Sequence, residues 1–197
     1  ERPGTRLQLG EDVLQHVGVG GGQDAPASDY RILSCEQVGR VEHVEGVHLE
    51  TALRQRIAAA FPQHGIHGEE HGSEGMDRDY VWVLDPIDGT KAFITGLPIF
   101  GTLIALLHRG KPVMGIIDQP ISGERWIGIA GRPTTFNGKS VKTRSCADLK
   151  SAVVYAGSVE FGEPGRSRFF KMAEKASVTT LGGDAYAYGL LSMGFID

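Results

Sequence analysis

Leu49, Leu53, Ile57 and Phe61 recur every fourth residue, with Ala52 and Ala60 beside them. That spacing lays one apolar stripe along a helix and turns Arg54, Gln55 and Arg56 away from it. Pro62 ends the helix, because proline lacks the backbone donor that the next turn needs. The period then changes. Ile66 to Glu69 suits a short strand running into a loop. Tyr80 to Leu84 is dense in aromatic and β-branched residues and predicts a buried strand that stops at Pro86. Ile99 to Leu107, Val113 to Asp118 and Arg125 to Ala130 are apolar runs separated by turn residues, the pattern of an antiparallel meander. Asn137-Gly138 predicts a further hairpin.

Beyond residue 145 strands and helices alternate. Ala152 to Ala156 and Ser177 to Leu181 read as strands, Ser167 to Lys175 as a helix, and Ala185 to Met193 as an apolar helix. Alternation of this kind predicts an α/β half. Residues 1–48 carry no clean period. Val17 to Gly22 is glycine-rich, but its spacing fits neither a phosphate loop nor a dinucleotide fingerprint. The chain thus divides into a poorly defined segment 1–48, an α+β half 49–145 with an antiparallel sheet, and a partial α/β half 146–197.

Composition narrows the partners more than the fold. The chain has 197 residues and a formal net charge of -4, so it has no basic footprint for nucleic acid. No apolar run is long enough to span a bilayer. Cys35 and Cys146 are the only cysteines. Two distant cysteines point to reduced thiols in a cytoplasmic protein rather than a disulfide framework.

The candidate chemistry sits at the exit of the Tyr80 strand. Asp85 and Asp88 lie three apart across a tight turn, a spacing that can aim both carboxylates at one point. The Ile87 carbonyl can point the same way. Oxygen-only ligands suit a hard cation such as magnesium. Gly89 permits close backbone approach to a ligand, and Thr90 offers a hydroxyl to orient a water. Asp, Pro and Gly are also common turn residues, so a capped turn is the plain alternative. Upstream, Glu69 and Glu70 follow Gly68 and can form either a ligand element or a solvated loop. His64, His67 and His71 lie nearby, but their spacing is not a zinc pattern. Asp184 stands where the last helix begins, able to cap it or to meet a substrate.

The full Asp85-Pro86-Ile87-Asp88-Gly89-Thr90 string resembles the signature of the inositol monophosphatase family, the magnesium-dependent, lithium-sensitive phosphatases. The resemblance extends from Leu49 to Asp197. Asp118-Gln119-Pro120, Gly123-Glu124-Arg125-Trp126 and the run from Gly182 to Leu190 resemble the histidinol-phosphatase-like branch. The resemblance implies an α/β (α+β layered) chain, an αβαβα sandwich of the inositol monophosphatase and sugar phosphatase type, truncated here. It implies a homodimer acting on a small phosphorylated metabolite, histidinol phosphate first and inositol phosphate second. It implies roughly two or three magnesium ions per site in intact members. By the family pattern Glu69, Asp85 and the Ile87 carbonyl hold the first, and Asp88 shares a second with Asp85. Glu69, Asp85 and Thr90 are then the catalytic residues. Glu69, Ile87, Asp88, Gly89, Thr90 and Asp184 are the residues meeting substrate.

Two departures weaken the second ion. The family places an aspartate at the position of Gly46, where it pairs with the threonine to activate water. It places another in a Trp-Asp or Tyr-Asp element that this sequence does not reach. Two divalent ions about 4 Å apart repel by roughly 16 kcal/mol at an effective dielectric of 20. Glu69, Asp85 and Asp88 bring three negative charges against four positive ones. An intact first site and a crippled second one follow, with an inactive relic as the alternative.

Overall fold

The computed structural model describes residues 35–158 and 162–197. The glycine-rich Val17 to Gly22 stretch lies outside the described residues. Helix α1 spans Cys35–Ala60 and crosses the division drawn at residue 48 without a break. The valines between His and Glu residues before Leu49 hide its period. Leu53 and Ile57 are buried as the stripe predicts, whereas Leu49 is exposed.

Strands β1 (Gly65–Gly68), β2 (Gly72–Glu74) and β3 (Tyr80–Asp88) follow. A short helix α2 (Thr90–Ile94) leads to β4 (Gly101–His108), β5 (Lys111–Gln119) and β6 (Glu124–Ile129). The two-residue strands β7 (Thr135–Phe136) and β8 (Lys139–Ser140) close the series. Their hairpin turns on Asn137 and Gly138, both at positive φ, as a tight two-residue turn requires. All eight strands form one sheet in the order β2-β1-β3-β4-β5-β6-β7-β8. β1 runs parallel to β3, and every other pair is antiparallel. β9 (Val153–Ala156), α3 (Gly165–Ala173) and β10 (Val178–Leu181) build a separate parallel pair of strands. Helix α4 (Asp184–Ser192) ends the described elements.

Strand alternation sorts the side chains onto two faces. Trp82, Leu106, Met114 and Ile129 stand opposite one another across β3 to β6. With Leu84, Ile104 and Ile116 they pack against Leu53 and Ile57 of α1. The next row, Asp85, Leu103, Ile117 and Trp126, faces the other way. There the Trp126 ring meets Tyr186 edge-on at 5.4 Å. A Cβ on Gly189 would lie only 2.7 Å from that ring, so the α4 backbone rests directly on the indole. Trp126 is therefore a packing residue. The sheet lies between α1 and α4, and the α/β expectation holds.

Candidate active site

β3 does not stop at Pro86 as its sequence predicts. It continues to Asp88 through a bulge: Asp85 pairs with Leu103 and Asp88 with Gly101, so one strand carries an extra residue between them. A bulge lets proline stay in a strand, because the ladder is already interrupted there. The Thr102 hydroxyl, nearly fully buried, donates to the Pro86 carbonyl at 2.9 Å and fixes the kink. Ile87 lies inside this bulge. Gly89 follows at φ 84° and opens α2, with the Phe93 N–H returning to its carbonyl.

Glu69 arrives from the neighbouring strand. Its backbone N–H donates to the Leu84 carbonyl at 3.2 Å, which sets it beside Asp85. Burial, the Glu69 carboxyl bonded to it, and the charges of Glu69 and Asp88 push the Asp85 carboxyl up to about 7, against a smaller opposing pull from the Ile87 N–H. Asp85 Oδ1 is buried and has no hydrogen-bond partner. Burial also raises Asp88, opposed by a backbone N–H and reinforced by the charges of Asp184 and Glu69.

That N–H belongs to Ala185. It donates to Asp88 Oδ2 at 2.7 Å from 97 residues away, tying α4 to the end of β3. Asp184 is consequently not the N-cap of α4. Gly183 holds the cap position, Asp184 stands at φ 37°, and Asp88 supplies the acceptor. The Asp184 carboxylate leans over Gly89, where a Cβ would lie 3.2 Å from Oδ2. Glu69, Asp85, Asp88, Gly89 and Asp184 thus converge on one strand end.

The histidines go elsewhere. His64 stacks between Phe61 and Tyr80 and accepts from the Trp82 indole N–H at 3.0 Å. His67 pairs with Ser73, and His71 with Thr51. Two residues that the periodicity passed over do matter. Glu50 is fully buried on α1, and Arg54 does not point away but pairs with it at 2.7 Å. The surface-like Glu-Arg spacing, four apart, was the available signal.

The donors fit a hard divalent ion. They are all oxygens, and a buried carboxylate oxygen without a donor beside a second carboxylate is a group that a cation satisfies. Among the described residues, no three His, Cys, Asp or Glu side chains are grouped closely enough to hold a metal ion. The site is an open set of carboxylates. A cavity of about 540 Å³, lined by Asp85, Leu103, Ile117, Trp126, Tyr188 and Ser192, runs from it between the sheet and α4.

These features define an α/β protein with an oxygen-donor centre at a bulged strand end. The chain belongs to the inositol monophosphatase family, whose sequence profile matches residues 43–197. It is 51% identical over 151 residues to the Bifunctional phosphatase IMPL2, chloroplastic, of Arabidopsis thaliana, covering 75% of this chain and 44% of that protein. It is 32% identical over 156 residues to a Histidinol-phosphatase of Mycobacterium tuberculosis, covering 76% of this chain and 60% of that one. Among solved structures, an inositol monophosphatase from Zymomonas mobilis superposes with a TM-score of 0.73 at 39% identity, over 98% of this chain and 72% of that one. The chain spans about half the length of the curated relatives it matches.

Proposed function

We propose that this chain carries the metal-binding part of a magnesium-dependent phosphate monoester hydrolase, with histidinol phosphate as its substrate. The observation that carries the reading is the buried, partnerless Asp85 oxygen held against Glu69. Monoester hydrolysis is among the slowest uncatalysed reactions, so charge stabilisation has to be large. Glu69, Asp85, the Ile87 carbonyl and Asp88 would hold magnesium, which when bound neutralises phosphoryl oxygens and makes water a better nucleophile. Glu69 and Thr90 orient the attacking water. The Ile87 to Thr90 backbone meets the phosphate, and Gly89 leaves it room.

Asp184 supports the choice of substrate. Histidinol phosphate bears a protonated amine, and inositol phosphate bears only hydroxyls. A carboxylate held over Gly89 by a left-handed backbone is poised to pair with the amine. The name of the Mycobacterium tuberculosis relative agrees with this. The identity to the Zymomonas mobilis enzyme supports inositol phosphate as the second reading.

Gly46 sets a limit on rate. It provides no carboxylate to partner Thr90, and Glu70 occupies its flank: a Cβ there would meet Glu70 Oε1 at 2.7 Å. Turnover below that of family members with an aspartate follows.

Phosphate release measured during a magnesium titration tests the reading. Histidinol phosphate should be cleaved faster than inositol 1-phosphate, with loss of activity on chelation and on adding lithium. Release that chelation leaves unchanged, or none from either ester at saturating magnesium, would refute it.

A further inference from the structure

Glu50 is a charged residue with no solvent exposure, on a helix that contributes nothing directly to the carboxylate centre. A buried carboxylate is costly unless its oxygens are bonded. Here both are. Oε2 accepts the Glu70 N–H at 2.8 Å, and Oε1 accepts the His71 N–H at 3.2 Å. Arg54 Nε donates to Oε1 at 2.7 Å, and its Nη2 bonds the Gly72 carbonyl. Burial pushes the Glu50 carboxyl up, yet Arg54 and the two N–H groups outweigh it and hold it below the usual range.

All these backbone groups belong to the three residues that follow Glu69. Thr51, the next residue on α1, adds a contact to the His71 ring at 2.9 Å. On the other side of Glu69, Gly68 leaves room for the carboxylate: a Cβ there would sit 2.0 Å from Glu50 Oε1. Glu69 is therefore gripped from both flanks. Its own N–H is bonded to Leu84, and the chain directly after it is bonded to α1.

We infer that Glu50, backed by Arg54, is a positioning residue that locks the 70–72 loop so that Glu69 is presented to Asp85 and to the metal. The inference rests on the magnesium reading for its functional half. A loop left free would let the Glu69 carboxylate swing away, and the ion would have to supply the ordering when it binds.

Glu50→Gln tests this with little change in volume. It keeps one acceptor but removes the charge that both N–H groups and Arg54 share. Amide exchange at Glu70 and His71 should quicken by about tenfold or more, as for loss of a charge-assisted bond. The magnesium midpoint, read by calorimetry in the absence of substrate, should rise by a similar factor. The kcat at saturating magnesium should stay near the parent value. Arg54→Gln, which leaves Glu50 in place, should give the same pattern more weakly and remains informative if the first variant folds poorly.

Unchanged exchange at residues 70 and 71 overturns the inference, whatever magnesium does. Faster exchange with an unchanged midpoint in a parent that binds magnesium also overturns it, since Glu50 would then serve folding alone. A parent that shows no magnesium response while the variant's loop loosens removes the magnesium reading and leaves the grip on the loop standing.

Discussion

Asp85→Asn should make the metal-free protein more stable, and the gain should depend on pH. The folded Asp85 carboxyl titrates at about 7 instead of 3.8. Between those values the native state holds a proton that the unfolded chain has released. Stability therefore falls as pH rises from about 4 to about 7. A gap of about three units corresponds to about 4 kcal/mol as a ceiling. Asp85 is only half-buried and its surroundings relax around the charge, so about 2 kcal/mol is the working figure. Asn keeps the shape and cannot ionise. In chelator at pH 8 the variant should melt roughly 4–8 °C above the parent, and the difference should shrink towards pH 4.5. Added magnesium should raise the parent's melting temperature and leave the variant's unchanged. Melting curves at pH 4.5, 6 and 8, each with chelator and with magnesium, contain the whole test. A gap between variant and parent that is the same at all three pH values refutes the electrostatic account.

The other expectations are local. Gly68→Ala forces a methyl to within 2.0 Å of the Glu50 carboxylate; a loss of roughly 3 kcal/mol or more in urea unfolding is expected, and a loss under 1 kcal/mol contradicts the contact. Thr102→Val removes the donor to the Pro86 carbonyl, which should cost about 1–3 kcal/mol and weaken magnesium binding measured by calorimetry. Asp184→Asn should reduce kcat/KM for histidinol phosphate far more than for inositol 1-phosphate; equal losses on both esters remove Asp184 from amine recognition.

The Asp85 to Thr90 string stood out because its residues are contiguous: carboxylates, proline, glycine and threonine within six positions restrict what the backbone can do, though not enough to show where β3 ends. The meander and the Asn137-Gly138 hairpin were legible for the same local reason. What stayed hidden depends on distant partners. Asp184 looks like a cap until Asp88, far upstream, is found bonded to Ala185 N–H. Glu50 and Arg54 look like a solvated pair until the 70–72 loop folds over them. β3 continues past Pro86 only because β4 brings Thr102 and Gly101 alongside.

The two tryptophans fall on opposite sides of the same sheet, Trp82 beneath α1 and Trp126 beneath α4. Each side thus carries its own fluorophore. Replacing either indole with phenylalanine leaves an emission signal that reports one side alone. Trp82, bonded to His64, follows the main core, and Trp126 follows the docking of the last helix. Detachment of α4 ahead of global melting becomes a spectral shift from Trp126 that Trp82 does not share.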